Sequence, residues 1–530
     1  MSAEKPRIWP LILCLAVAVL LRAPGLRSAV FQDEVHILIG VSHYVSNKTI
    51  VPPWFDWPPL FSYLAVPATG ITSLVGGKMS GLPPGEWAVL QSAFVDQRLV
   101  AGTRILSLLF SLCTIAAIYL MPLRPAHSGT RVAATLIYLF SPVAVQYGAY
   151  GLPEEGMVLC VALSLLCSIR YSIGGNWKWL CAAGALGGLA AAFKFNGAMA
   201  CGACAVAALV AQDKNSQRRI TALSRAACAA ILVFLILAPS FLLATEDAFG
   251  GLLWEGLHVG KARFGPQYPH YIGMPLFLVK HEPGLLLGVM TAVIVAKSKD
   301  RALLILLTIP ALNFLAVGGW TRMDPNYWYP SIPAVSAAFG LAVPSHSSGR
   351  LRALQLFGIS ALLVAFLFII GPPAYRRDNY DVMADWLTAE LPADAVVVRD
   401  GSYTPKIWSP IETHEFLDGR GSALSPAARE QFDQRLTHSP KAASIILRDK
   451  QLATASAADP IDALPAGSWL LASELPMTRI RDYPLPDGAD GRIYQLQKKL
   501  YGSLQSGVGW KLMFAAENGS GQAQYAYRKD

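Results

Sequence analysis

Residues 8–40 read IWPLILCLAVAVLLRAPGLRSAVFQDEVHILIG, an apolar run closed by Arg22 and followed by two adjacent acids, Asp33 and Glu34. The run at 8–23 suits a membrane span, which needs roughly 20 mainly apolar residues. No small-residue cleavage site follows it, so it is read as a span and not as a leader. Acids one short step beyond a bilayer have two readings. A negatively charged first turn stabilises a helix through its dipole, or the two carboxylates carry out the chemistry. The rest of the chain decides between them.

The 530 residues are 53% hydrophobic and only 15% charged, where soluble domains carry about 25% charged residues. Mean hydropathy is +0.40. This is the composition of an integral membrane protein. The net charge of +9 comes from residues that punctuate apolar runs, which points to anionic lipid and membrane orientation and away from nucleic acid. Spans are predicted at 8–23, 99–122, 131–148, 153–170, 177–193, 195–211, 226–244, 273–296, 302–319, 326–343 and 352–371, eleven in all. With the N-terminus inside (Lys5, Arg7), the short inside loops carry Arg124 and Arg131, Arg170 and Lys178, Lys214 to Arg225, Lys297 to Arg301, and Arg350 with Arg352. Every such loop is basic, as the positive-inside rule requires. The odd span count then places residues 372–530 outside. The eight cysteines all precede residue 229 and lie in or beside apolar runs, so no disulfide framework is expected in the tail. Cys201 and Cys204 have CxxC spacing in an Ala-rich span, read as small-residue packing.

Three outer stretches stand out: 24–98, 245–272 and the tail. In the first, DEVHILIGVSHYV (33–45) and PPLFSYLAVPATGITSLV (58–75) suit helices lying along the membrane interface. The tail opens with DNYDVMADWLTAELPADAVVVRD (378–400), an amphipathic helix and a short strand, followed by strand-like runs ASIILRD, SWLLASE and GRIYQLQ. It is expected to be a compact α/β or α+β domain. The expected fold class is thus a polytopic α-helical membrane protein with a long first outer loop and a C-terminal extracytoplasmic domain, divided as 1–371 and 372–530.

The spans are nearly free of charge, whereas the predicted outer rim gathers Asp33, Glu34, Asp56, Arg98, Arg104, Glu154, Glu155, Lys194, His258, Lys261, Arg263, His270, Arg322 and Asp324. Ionisable residues at membrane depth are costly and default to a functional reading. A carboxylate can take a proton from an incoming hydroxyl. Arg and Lys can hold a phosphate as it leaves. A membrane-anchored, phosphate-linked donor would need both. Each residue also has a plainer reading. Asp33–Glu34 and Glu154–Glu155 suit helix starts. Asp56 suits a turn before two prolines, Lys194 can snorkel to the interface, and Arg322 can flank an aromatic belt. No nucleotide-binding Gly loop, HExxH or GxSxG is present.

Taken together, these residues resemble the GT-C glycosyltransferases, in the branch of the protein O-mannosyltransferases and lipid A aminoarabinose transferases. Five stretches carry the resemblance: QDE after the first span; DWPPLFSYL (56–64) in the same loop; LFSPVAVQYGAYGLPEEGMVLCVALSLL (139–166); GALGGLAAAFKFNGAMA (184–200); and TRMDPNYWYPSIPAVSAAFGLAV (321–343). It spans roughly residues 8–371. It implies a GT-C-like bundle and a monosaccharide donor on a polyprenyl phosphate at the outer leaflet of a bacterial inner membrane. Transfer to a hydroxyl acceptor on a lipid, glycan or protein would proceed with inversion. Asp33 maps onto the catalytic base, with Glu34 in support. Lys194, Arg322 and Arg104 map onto the cations that bind the donor phosphate. His258, Lys261 and Arg263 fall in the outer loop that closes over the donor, and Tyr327 in the late Tyr/Pro-rich span. Asp56 occupies a position that in some relatives helps hold a divalent metal. Relatives often carry Lys or His before the two prolines. Trp57 stands there instead, an aromatic suited to stacking on a sugar. Glu154 and Glu155 map onto the acid-bearing turn, as substrate contacts. Three other readings are a catalytically silent carbohydrate-binding relative, an oligosaccharyltransferase-like enzyme moving a preassembled glycan, and a polytopic transporter. A transporter would more often show inverted repeats and broken midplane helices.

Overall fold

A computed structural model describes residues 7–28, 30–55, 57–123, 128–211, 215–254, 271–295, 300–318, 325–342, 363–364, 379–399, 404–447, 464–473, 501–504, 506–517 and 523–530. The chain begins with α1 (Ile8–Arg22), α2 (Gln32–Asn47), α3 (Leu60–Ser80), α4 (Pro84–Ala93) and α5 (Ala101–Tyr119). The bundle continues with α6 (Ser128–Phe140), α7 (Pro142–Tyr147), α8 (Glu154–Gly174), α9 (Trp177–Phe193), α10 (Met199–Val210) and α11 (Ser216–Leu237). Then come α12 (Ser240–Leu243), α13 (Thr245–Trp254), α14 (Gly273–His281), α15 (Pro283–Val295), α16 (Arg301–Val317) and α17 (Ile332–Ala342).

The polytopic helical architecture is as the sequence predicts, but the spans differ in detail. Five helices among the described residues are long and apolar enough to cross a membrane: Ile8–Arg27, Leu60–Ser80, Gln97–Tyr119, Glu154–Gly174 and Ser216–Leu237. Leu60–Ser80 was expected to lie along the interface; its length and hydropathy equally suit a crossing. The predicted span 131–148 is broken at Ser141–Pro142, and 273–296 at Glu282–Pro283. In both places proline lacks the N–H that a continuous helix needs. Most of span 352–371 lies outside the described residues.

Small residues let the bundle close. A Cβ at Gly184 or Gly188 of α9 would strike the backbone carbonyl of Ala226 or Ala230 of α11. This is close helix approach through small residues four apart. Cys201 of α10 packs against Gly187 of α9, and Cys204 Sγ donates to Leu180 O at 3.6 Å. Both cysteines are free thiols.

The tail carries α18 (Asn379–Glu390), β1 (Val396–Arg399), α19 (Pro410–Asp418), α20 (Pro426–Thr437), β2 (Ser444–Leu447), β3 (Trp469–Ser473), β4 (Trp510–Ala516) and β5 (Gln524–Lys529). The sheet order is β2-β1-β3-β5-β4. β1 pairs parallel with β2 and β3, whereas β5 pairs antiparallel with β3 and β4. Side chains alternate across the sheet. Val397, Trp469 and Leu471 meet Met383 and Leu387 of α18 on one face. Val398 and Leu470 meet Tyr501 and Leu504 on the other. Helix α18 and strands β1 to β3 fall on runs foreseen from sequence, while GRIYQLQ lies outside the described residues.

This α/β unit docks on the outer-loop helices. Leu82, Trp87 and Leu90 share an apolar cluster with Trp408, Ala428 and Phe432. Ser425 donates to Glu86 Oε2 through its N–H at 3.0 Å and its hydroxyl at 2.5 Å. Arg435 donates to Gln91 Oε1 at 2.9 Å and to Asp96 Oδ2 at 2.7 Å. Burial would raise the Asp96 carboxyl, but the side-chain and backbone hydrogen bonds from Arg98, with the charge of Arg435 behind them, hold it below the ordinary carboxylate range. A carboxyl whose folded pKa is depressed contributes stability above its unfolded value, and that stability is lost as pH falls through the folded value. The docking is therefore expected to hold at neutral pH and to loosen only below about pH 4, the ordinary Asp range. Hydrogen exchange of α20 across that range checks this. Asp96→Asn should make exchange there faster at neutral pH and flatten its acid dependence.

Candidate active site at the outer-loop end of the bundle

Three buried carboxylates organise the site, each gripped in a different way. After α1 the chain makes a 3-10 turn over Ala23–Arg27 and enters α2 at Phe31. Glu34 is the third residue of α2, and its Oε2 accepts the Phe31 N–H at 2.8 Å, the return half of a capping box. Arg104 of α5 grips both oxygens, Nε to Oε1 at 2.8 Å and Nη2 to Oε2 at 2.6 Å. The Gly151 N–H adds a further bond to Oε1 at 2.7 Å. Arg104 Nη1 meanwhile donates to the carbonyls of Leu26 at 3.1 Å and Ser28 at 2.7 Å. Both side chains of the pair are 0% exposed.

Arg104 was expected to hold donor phosphate. Its guanidinium is instead committed to Glu34 and the 25–28 turn, with no exposed face. Glu34, expected as a catalytic partner, is likewise sealed. Together they tie the turn after α1, α2, α5 and the turn before α8 to one point. Asp33, next to Glu34 in the first turn of α2, is half-buried.

A second carboxylate, Glu154, opens α8 and pairs with Lys194 through Oε1 at 2.6 Å. Lys194 ends α9 in an extended conformation, which turns the chain into the next helix. Its ammonium lies 5.9 Å from the centroid of the Trp57 ring, and the Trp57 ring lies 6.2 Å from that of His36. His36 is three residues beyond Asp33 on α2, so the two share a helix face. A line of polar and aromatic groups thus runs from His36 through Trp57 to Lys194, with Asp33 one helical turn before His36. Glu154 Oε2 and both amide atoms of Asn196, two residues past Lys194, are buried with no hydrogen-bond partner among the described residues.

The third carboxylate, Glu155, is fully buried and accepts from Tyr138 OH at 2.7 Å and from Tyr329 OH. Tyr138 OH in turn meets Ser111 Oγ at 3.1 Å, and Arg22 Nε donates to Ser111 at 2.9 Å. Glu155 was expected to contact substrate. Its two oxygens are taken by tyrosines within the bundle, so it fastens α8 to α6 and to the segment before α17. Tyr327, also expected at substrate, is buried in the core, where its carbonyl accepts from Asn313 at 2.9 Å. A further buried acid, Glu282, accepts from Ser141 Oγ at 3.0 Å and Val143 N at 2.7 Å. It caps α7 at the break in span 131–148.

Asp56, His258, Lys261, Arg263 and Arg322 lie outside the described residues. No cluster of three His, Cys, Asp or Glu side chains suited to a metal forms among the described residues, which do not include Asp56. Sequence reasoning missed Arg22, His36, Tyr138, Tyr329, Asn196 and Glu282. Arg22 and Glu282 carried a signal, being charges within predicted spans. The others became visible only through their neighbours.

Fold and site define a polytopic helical membrane protein with buried carboxylate–cation pairs and a C-terminal α/β unit. Residues 86–242, which include Arg104, Glu154, Glu155 and Lys194, match the family described as dolichyl-phosphate-mannose-protein mannosyltransferase. The match bears out the resemblance to the GT-C glycosyltransferases. Among solved structures, the chain is similar to ArnT from Cupriavidus metallidurans bound to undecaprenyl phosphate (12% identity, 98% of this chain and 97% of that one, TM-score 0.49). It is also similar to the Archaeoglobus fulgidus oligosaccharyltransferase AglB in complex with an inhibitory peptide and a dolichol-phosphate (12% identity, 82% and 64%, TM-score 0.44). A third is the arabinofuranosyltransferase AftD from Mycobacteria (14% identity, 99% and 40%, TM-score 0.41). No curated protein matches the chain.

Proposed function

We propose that this chain is a glycosyltransferase of a bacterial inner membrane. It moves a monosaccharide from a polyprenyl-phosphate carrier to a hydroxyl acceptor on the outer face, with the N-terminus inside and the C-terminal α/β unit outside. The observation that carries this reading is the line His36–Trp57–Lys194, with Asp33 one helical turn before it. In this reading the half-buried Asp33 stands at one end of the site and the buried Lys194 at the other. Asp33 removes the proton of the attacking hydroxyl. Lys194, shared with Glu154, meets the charge that develops on the departing lipid phosphate. Trp57 lies between them, where the sugar of a bound donor would pass. A single displacement inverts the anomeric carbon and needs no covalent enzyme intermediate, unlike the retaining two-carboxylate scheme. Glu34–Arg104 holds the first turn of α2 so that Asp33 is oriented.

The test supplies membranes containing the wild-type chain with a panel of radiolabelled polyprenyl-phosphate sugars and follows label into lipid, polysaccharide and protein fractions. Movement of one sugar into one fraction, absent from control membranes, supports the reading and names the acceptor class. Label that stays on the carrier throughout the panel overturns it. Within the same assay, Lys194→Gln combined with Glu154→Gln removes the cation without leaving an orphaned acid. It is expected to raise the KM for donor roughly 10–100-fold, the range for losing a hydrogen bond to a charged group. A change confined to the acceptor KM would remove Lys194 from the phosphate site.

A further inference from the structure

Where the outer-loop strap 94–97 meets the C-terminal unit, a cleft of about 700 Å³ opens. That volume lies within the roughly 300–1,000 Å³ of small-ligand sites. One wall is α18, which presents Asp381, Ala384, Asp385 and Thr388. Their spacing of three, four and seven residues is that of a single helix face. Also lining it are Gln434 and Arg435 of α20, His438 just past its C-terminal end, Lys406 and Trp408.

Several features mark this as more than a gap between two units. Its wall is chemically mixed, with carboxylates on one helix and amide, guanidinium and imidazole groups on or just past the other. Trp408 is only 3% exposed, and its indole N–H is buried with no hydrogen-bond partner among the described residues. Arg435 is held in place by Asp96 and lies 4.3 Å from the Phe94 ring centroid, so this wall is pre-organised. Val95, in the strap, has φ 51°. A β-branched residue rarely adopts that conformation, and residues held so cluster at ligand sites.

The strap also leads back to the catalytic residues. Gln97 lines the cleft, and with its amide oriented to donate it reaches Ser28 O at 2.9 Å. That same carbonyl accepts from Arg104, the partner of Glu34. Leu38, five residues past Asp33 on α2, packs on the apolar cluster beside the cleft.

We propose that this cleft binds the sugar chain of the acceptor, holding it while its terminal hydroxyl reaches Asp33. Polyhydroxylated ligands need acceptors and donors at close spacing together with aromatic surface. Asp381 and Asp385 can accept from hydroxyls, and Gln434 and Arg435 can donate to ring and hydroxyl oxygens. This inference rests on the reading of the chain as a glycosyltransferase, but its binding test needs no donor.

Full-length protein in nanodiscs is titrated with mannohexaose, chitohexaose and a hexuronate hexamer, and saturation-transfer NMR reads binding. At least one of the three is expected to bind wild type. Thr388→Trp, which places a bulky ring in the opening, should abolish that binding, and Asp385→Asn should weaken it at least tenfold. Both positions are exposed, so the fold is retained, and binding of polyprenyl phosphate should be unchanged. In transfer assays Thr388→Trp should raise the acceptor KM tenfold or more and leave the donor KM alone. Absence of binding by all three hexamers, or equal binding by Thr388→Trp and wild type, overturns the proposal. Neither result touches the donor assay, on which the glycosyltransferase reading stands or falls separately.

Discussion

Asp33→Asn is expected to lower sugar transfer by roughly 10²–10⁴-fold, the usual contribution of a positioned general base, while the protein folds and binds donor as before. The amide keeps the size of the carboxylate and can still occupy the first turn of α2. It cannot take a proton. Asp33 is half-buried, whereas its neighbour Glu34 is gripped by Arg104, Gly151 and Phe31. The substitution therefore removes chemistry without opening the ion pair. The loss should appear in kcat, with the donor KM within a few-fold of wild type. Equal transfer by wild type and variant at equal expression would return Asp33 to the role of a favourable helix start. The family resemblance would survive that result, but the proposed mechanism would not.

Arg104→Met is expected to cost roughly 3–5 kcal/mol, the penalty for leaving one member of a buried ion pair alone. Against a typical total of about 5–15 kcal/mol, little folded protein should remain in detergent. Glu34 would keep its bonds from Phe31 and Gly151 but lose the countercharge, and the Leu26 and Ser28 carbonyls would lose their donor. Combining it with Glu34→Gln should recover much of the stability, because a neutral pair carries no buried charge. Activity should stay low in the double variant, since the anchor that orients Asp33 is gone. Thermal unfolding monitored by size-exclusion, read beside transfer rate, separates the two effects. A single variant as stable as wild type would mean that water reaches the pair and that its sealed geometry does not persist in solution.

Composition and apolar runs were enough to establish a polytopic helical protein, because a bilayer demands long stretches without charge. The strands at 396–399, 444–447 and 469–473 were legible for a related reason: short β-branched and aromatic runs bounded by turn residues have few other folded fates. The acids of the first outer loop were legible as a pair, since charge beside a span is costly and so conspicuous. What separated Asp33 from Glu34 was not local. In sequence they are adjacent and nearly equivalent. Arg104 lies seventy residues away, and only the packing of α5 against the 25–28 turn gives it to Glu34. Arg104 itself, a plausible phosphate ligand as a lone cation, becomes the partner of a buried acid for the same reason. Glu154 and Glu155 repeat the lesson at successive positions on α8: a turn of about 100° per residue sends one to Lys194 and the other to Tyr138 and Tyr329. The cleft between α18 and α20 had no sequence signature, because its lining combines these two helices with the 94–97 strap, far away in the chain. Local sequence sets which groups carry charge and which segments enter the membrane. Which charge meets which partner, and so which one stays available to a substrate, is decided by long-range packing.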